Sequence, residues 1–185
     1  GDTDQDCIPI VRPDVFIAKD VVSTTQLVDG TWQIVYEVTA TNASGSLVAV
    51  YSLTDTLEFG GDIVVNSASW TGPDSSSGNF TGDNATLATN RTLAAAGIHT
   101  YVVTVNATVD AEAWEADETL TCEKEEGVAV AGGFLNTVLL TVNGISKPAD
   151  DCSAPSLPGL SKNPLGAVQD PDDASLWLVS YTLTV

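Results

Sequence analysis

Histidine occurs once in this chain of 185 residues, as His99. A single imidazole lacks the partners that a His-based catalytic relay or a zinc site needs. His99 is instead expected at the start of a strand. Positive charge is nearly as scarce, with six Lys and Arg against 25 Asp and Glu, a formal net charge of −19. A surface so acidic repels nucleic acid and anionic membranes, which excludes both as partners. It suits high salt, a crowded surface where chains must repel one another, or plain solubility. No apolar run is long enough to span a bilayer. No signal peptide is visible, and the chain opens without Met, as a mature or excised piece would. There is no Gly-rich phosphate loop and no nucleophile elbow. The chain is therefore not expected to be an enzyme, except toward itself, and no cofactor is expected.

What is present begins with a repeat. Asp6-Cys7 recurs as Asp151-Cys152, an offset of 145 (152 − 7 = 145). Pro13 recurs as Pro158, Trp32 as Trp177, Tyr36 as Tyr181 and Thr39 as Thr184 at the same offset. A repeat of this length means one domain per repeat, long enough to bury its own core. The expected organisation is an N-terminal segment at 1–12, a complete unit at 13–146, a linker at 147–158 and part of a following unit at 159–185. Lys162 falls two residues out of the 145 register with Lys19 (162 − 19 = 143).

Three cysteines are present, an odd number that suggests pairing beyond one unit. Cys122 has two candidate partners. Cys152 would staple a long loop to the linker, whereas Cys7 would close the unit on itself. The pairing Cys122–Cys152 is the one expected, with Cys7 reserved for a preceding unit. Five Asn-x-Ser/Thr sequons, at Asn42, Asn79, Asn84, Asn90 and Asn106, are candidate glycan acceptors on exposed loops and strand faces. Asp2, Asp4 and Asp6, and Asp170, Asp172 and Asp173, could offer calcium carboxylate oxygens between units. Neither group matches a complete calcium loop, and a solvated acidic linker explains both.

Apolar and polar residues alternate at period two between clusters of Gly, Asp, Ser and Asn. Strands are expected near 14–22, 31–42, 46–57, 62–69, 85–93, 98–109 and 133–143. Asp29-Gly30 marks a hairpin, 42–46 a second turn, and 71–84 a long polar loop. Residues 110–127 form an acidic excursion containing Cys122. The fold class is all-β, an antiparallel immunoglobulin-like β-sandwich of about seven strands. One further strand, from the next repeat, follows at the C-terminus. That strand cannot bury a core alone, so it pairs within its own unit or is donated to a neighbour.

Three polar residues intrude in otherwise apolar faces. Lys19 shares a face with Val15, Ile17 and Val21. Asp55 shares one with Tyr51, Leu53 and Leu57, and Asn136 one with Phe134, Val138 and Leu140. A rival inward face, Phe16, Ala18 and Val22, would instead turn Lys19 to solvent. Burial lowers a lysine pKa and raises an aspartate pKa. A neutral Lys19 amine could attack the Asn136 side chain, with Asp55 shuttling protons, to expel ammonia and leave an isopeptide. The alternative is a buried Lys–Asp pair beside an Asn that satisfies backbone groups.

The segments "VFIAKDVV", "IVYEVTATN", "YSLTDTL" and "FLNTVLLTVNG" occur in an order that resembles Gram-positive fimbrial and collagen-adhesin-type isopeptide-forming domains. They are similar also to related repeats of bacterial and archaeal envelope proteins. The resemblance covers about residues 13–145. It implies that Lys19 and Asn136 are the cross-linked pair and Asp55 the proton shuttle. No sortase motif of the Leu-Pro-x-Thr-Gly kind occurs, so sortase assembly is not expected. The function expected is a structural module of an extracellular, cell-surface fibre, pilus-like filament or adhesin stalk. Its partners would be neighbouring copies of the same repeat, in a homopolymer, without membrane insertion. The alternative is an adhesin domain that binds glycan or host protein through the 71–84 and 110–130 loops. A third reading is an accessory sandwich attached to an enzyme in a longer chain.

Overall fold

Strict alternation gives each central strand one apolar face, and two such faces closed on each other make the core. In the computed structural model the described residues are 12–80, 84–110, 120–122, 124–125, 128–129, 132–156 and 161–184. The chain divides into two units, Gly1–Pro155 and Ser156–Val185.

The first unit is an antiparallel β-sandwich. Its strands are β1 (Val15–Gln26), β2 (Trp32–Asn42), β3 (Ala49–Leu57), β4 (Ile63–Thr71), β5 (Ser77–Phe80), β6 (Asn84–Leu93), β7 (Ile98–Val109), β8 (Lys124–Glu125), β9 (Val128–Ala129), β10 (Phe134–Val142) and β11 (Ile145–Ser153). One sheet runs β1-β2-β7-β4-β5 and the other β11-β10-β3-β6, while the short β8 and β9 pair with each other. The core is filled by alternate residues of the inner strands, among them Trp32, Ile34, Tyr36 and Val38 of β2, and Tyr101, Val103 and Val105 of β7. Tyr51 and Leu53 of β3 and Phe134, Val138 and Leu140 of β10 meet them from the other sheet. The Tyr36 hydroxyl crosses between sheets to donate to the Phe134 carbonyl at 2.6 Å.

The Asp29-Gly30 hairpin joins β1 to β2, with Gly30 at φ +85°, a backbone conformation that glycine adopts without strain. His99 is the second residue of β7, near the strand start as expected. The 71–84 segment is not wholly loop. It carries a short 3-10 turn at Pro73–Ser75 and then β5, which pairs with β4.

The segment expected as a linker at 147–158 is a strand up to Ser153. β11 pairs with β10 along its full length, Phe134 opposite Ser153 and Val142 opposite Ile145. It is an edge strand and so tolerates Pro148 and a run of polar residues. β11 and β1 are the neighbouring edges of the two sheets, and side chains join them. Lys147 pairs with Asp14 and also donates to the Val15 carbonyl at 3.0 Å. Asp151 accepts from the Val21 amide at 2.7 Å, and Thr24 meets Ser153 at 2.6 Å. The contacts advance together along both strands, so β1 and β11 run in the same direction.

The second unit contains a hairpin of β12 (Ser161–Gln169) and β13 (Trp177–Thr184). The sequence suggested one strand here, and there are two.

Candidate functional site

Four polar or charged residues are buried among the described residues: Lys19, Asn42, Asp55 and Asn136. Three of them are the intruders picked out by their position in apolar strands.

Lys19 lies on β1 at the edge of the first sheet, on the inward face with Val15, and is 5% exposed. The rival face is turned to solvent, where Phe16 is 57% and Val22 61% exposed. Asp55 and Asn136 lie on neighbouring strands of the opposite sheet. Asp55 is opposite Val138 and Asn136 is opposite Leu57, which makes the two polar residues a diagonal cross-strand pair on one face. Both are fully buried. Lys19 reaches across the core, and its Nζ lies 2.5 Å from Asp55 Oδ2. Its ammonium also stands 5.1 Å from the centre of the Tyr36 ring.

The trio is incompletely satisfied. Asp55 Oδ1 and both polar atoms of the Asn136 side chain have no hydrogen-bond partner although they are buried. Asn136 lies near enough to help stabilise the Asp55 carboxylate, yet completes no hydrogen bond of ordinary geometry. Each buried polar group left unpaired costs about 1–3 kcal/mol.

Burial pushes Lys19 below the usual lysine range, against the opposing pull of Asp55 and, more weakly, Asp151. Burial pushes Asp55 above the usual carboxylate range, against Lys19 and Asn136. The two shifts act together. Passing the proton from Lys19 to Asp55 turns a buried ion pair into a neutral amine beside a carboxylic acid. A neutral amine and an unpaired carboxamide, both set about the same acid, supply the groups for amide exchange: nucleophile, acyl carbon and proton carrier. Asp55 also keeps the Tyr36 hydroxyl from ionising, after burial, the larger cause.

Two members of this surround were missed in the sequence. Asp151 accepts from Val21 and from its own neighbour Cys152, and its charge bears on Lys19. Tyr36 covers Lys19. Recurrence was the available signal, since Asp151 repeats Asp6 and Tyr36 repeats as Tyr181.

Cys122 and Cys152 form a disulfide with Cα atoms 5.7 Å apart. It ties Cys122 to β11, a sheet strand, rather than to a linker. Gly133 packs against it with φ +50°, and a Cβ there would lie 3.0 Å from Cys122 Sγ. Cys7, Asp2, Asp4 and Asp6 lie outside the described residues, as does most of the acidic stretch. Asp170, Asp172 and Asp173 sit in the turn between β12 and β13. There Asp170 accepts from the Asp172 amide and Asp173 from the Ser175 amide. No grouping of three or more His, Cys, Asp or Glu that could hold a metal occurs among the described residues.

The sequons divide. Asn79, Asn84 and Asn90 are exposed and Asn106 is half-buried. Asn42 is 1% exposed, which contradicts its expected place on an exposed surface. Its Nδ2 donates to the carbonyls of Leu47, Leu93 and Ala94, and its Oδ1 accepts from the Ser44 amide. A glycan on that nitrogen would remove these bonds, so Asn42 works as a turn clamp. Asn42→Ala is expected to cost about 2–3 kcal/mol in denaturant unfolding, by leaving backbone carbonyls unpaired. An unchanged midpoint would contradict the clamp.

Comparison with known proteins yields no match to a family model, to a curated protein or to a solved structure.

Proposed function

We propose that this chain is a load-bearing module of an extracellular fibre or adhesin stalk, made inextensible by a self-formed isopeptide between Lys19 and Asn136. The observation that carries the reading is the buried trio, with Lys19 and Asp55 at 2.5 Å and, near Asp55, the Asn136 carboxamide whose polar atoms are unpaired. In the reaction Asp55 takes a proton from the Lys19 ammonium. The Nζ lone pair then attacks Cγ of Asn136, and a C–N bond forms. Asp55 returns that proton to the departing nitrogen, which leaves as ammonia when the original C–N bond breaks. It then takes up the surplus proton of the attacking nitrogen, ending as a neutral carboxylic acid beside the new amide. The product amide is neutral, so a buried charge pair is replaced by a group that costs far less to bury.

The surrounding features suit this role. The disulfide fits an oxidising compartment, and the net charge of −19 fits a surface where chains must not coalesce. The recurring segments fit a tandem array of copies of the same unit as partners. The reading makes the chain a structural protein whose one reaction is on itself.

Pulling single molecules by their ends, with the Cys122–Cys152 disulfide reduced, tests it. The cross-link would shield the 116 residues between Lys19 and Asn136 (20–135) from load. Wild type is expected to show no extension from them, whereas Lys19→Arg should release roughly 400 Å of chain at about 3.5 Å per residue. Full extension in wild type would overturn the proposal.

A further inference from the structure

The hairpin of the second unit repeats the β1–β2 hairpin in register as well as in sequence. In the first, Lys19 pairs with Val38 and Val21 with Tyr36, Val22 is skipped at a bulge, Ser23 pairs with Val35, and Gln26 with Trp32. In the second, Lys162 pairs with Leu183 and Pro164 with Tyr181, Leu165 is skipped, Gly166 pairs with Ser180, and Gln169 with Trp177. The first strands correspond at an offset of 143 and the second strands at 145. The turn accounts for the difference, because 27–31 has five residues and 170–176 has seven (7 − 5 = 2). Lys162, which looked displaced from Lys19, occupies the same place on the ladder. It also stands over the same aromatic, 4.0 Å from the Tyr181 ring centre where Lys19 is 5.1 Å from that of Tyr36.

The difference is burial. Trp32, Ile34, Tyr36 and Val38 are covered by the opposite sheet. Their counterparts Trp177, Val179, Tyr181 and Leu183 are bare, with Trp177 62% and Tyr181 47% exposed. An exposed row of this size calls for a cover.

We infer that Lys162 is the nucleophile of a second cross-linking centre, completed when a sheet of the β11-β10-β3-β6 type closes over Trp177, Val179, Tyr181 and Leu183. This rests on the reading of Lys19 above. The occupant is a copy of the first unit's second sheet, since the row it must cover repeats the one that sheet already covers. That sheet brings an inward carboxyl at the place of Asp55 and an inward carboxamide at the place of Asn136. Lys162 Nζ forms a bond to the carboxamide carbon, the original C–N bond breaks and ammonia leaves. The carboxylate relays one lysine proton to the leaving nitrogen and keeps the second, ending as a neutral acid. One contact is not repeated. Pro164 stands where Val21 donates to Asp151 and has no N–H to offer.

A chimera tests this. Val185 stands where Ala40 stands in the first unit (185 − 145 = 40), so residues 41–155 are appended after it. Intact mass and peptide mapping are expected to show two ammonias lost, with Lys162 joined to the appended asparagine and Trp177 shielded from acrylamide quenching. Lys162→Arg should restore one ammonia and leave the Lys19–Asn136 link in place. A chimera with only the Lys19–Asn136 link, Lys162 free and Trp177 quenchable overturns this inference and leaves the proposed function standing. Absence of both links overturns both. If the second half gains no unfolding transition, even with Pro164→Val restoring the missing N–H, the inference is likewise overturned.

Discussion

Asp55→Asn is expected to fold and to keep its full, unmodified mass. The replacement retains the shape and most of the hydrogen-bonding capacity of Asp55 but has no carboxyl proton to move. Lys19 then has no internal base to take its proton and no acid to deliver one to the leaving nitrogen. The stability change should be large. A covalent link across 117 residues (136 − 19 = 117) restricts the unfolded chain, and loop-closure reasoning of the kind used for disulfides gives about 5 kcal/mol. For a chain of this size that is about 10–20 °C in melting temperature. Mass spectrometry and a thermal scan on the same sample read both effects. A cross-linked Asp55→Asn chain would remove Asp55 from the chemistry. Loss of the link with unchanged melting would remove the link from the stability of the fold.

Lys19→Met should reverse the usual benefit of neutral pH. The methionine fills the lysine channel but leaves Asp55 buried with no cation. Burial already raises Asp55, and the strongest influences holding it down both come from Lys19. What remains near it is Asn136, the weakest of the influences holding it down, and Tyr36, which is un-ionised, so no cation replaces Lys19. Between the unfolded carboxylate pKa, about 3.9, and the raised folded value, the folded state binds more protons than the unfolded state. Asp55's contribution is therefore fully present below the unfolded pKa and is lost as pH rises through the folded one. Denaturant unfolding should show Lys19→Met less stable at pH 8 than at pH 5, with a slope of up to about 1.4 kcal/mol per pH unit. The double variant Lys19→Met/Asp55→Asn carries every other charge and should lose that slope. A matching slope in both variants would assign the pH response to the general acidity of the chain.

The central strands were legible because their alternation is strict. The segments at 31–42 and 98–109 became β2 and β7 within a residue of their expected ends. The trio was legible for the same reason, since a polar residue in a clean apolar register must either face the core or break the pattern. β11 was not legible. An edge strand packs little of its surface, so its sequence need not alternate, and Pro148 with Asp150 and Asp151 looks like a linker. Asp151 was hidden with it. Asn42 was misread because a three-residue sequon carries no information on burial, and only the folded turn shows three carbonyls converging on its amide. Lys162 seemed out of place because residue offsets count along the chain. Ladder register counts across strands and absorbs a longer turn.

The most direct test of the covalent clasp is the intact mass of the reduced, deglycosylated chain, followed by sequencing of its proteolytic fragments. The account predicts a mass short by one ammonia, with one branched fragment joining the Lys19 and Asn136 peptides. A full mass, with both peptides recovered separately, would contradict it and leave the buried trio as a hydrogen-bonded cluster held by packing and the Cys122–Cys152 disulfide.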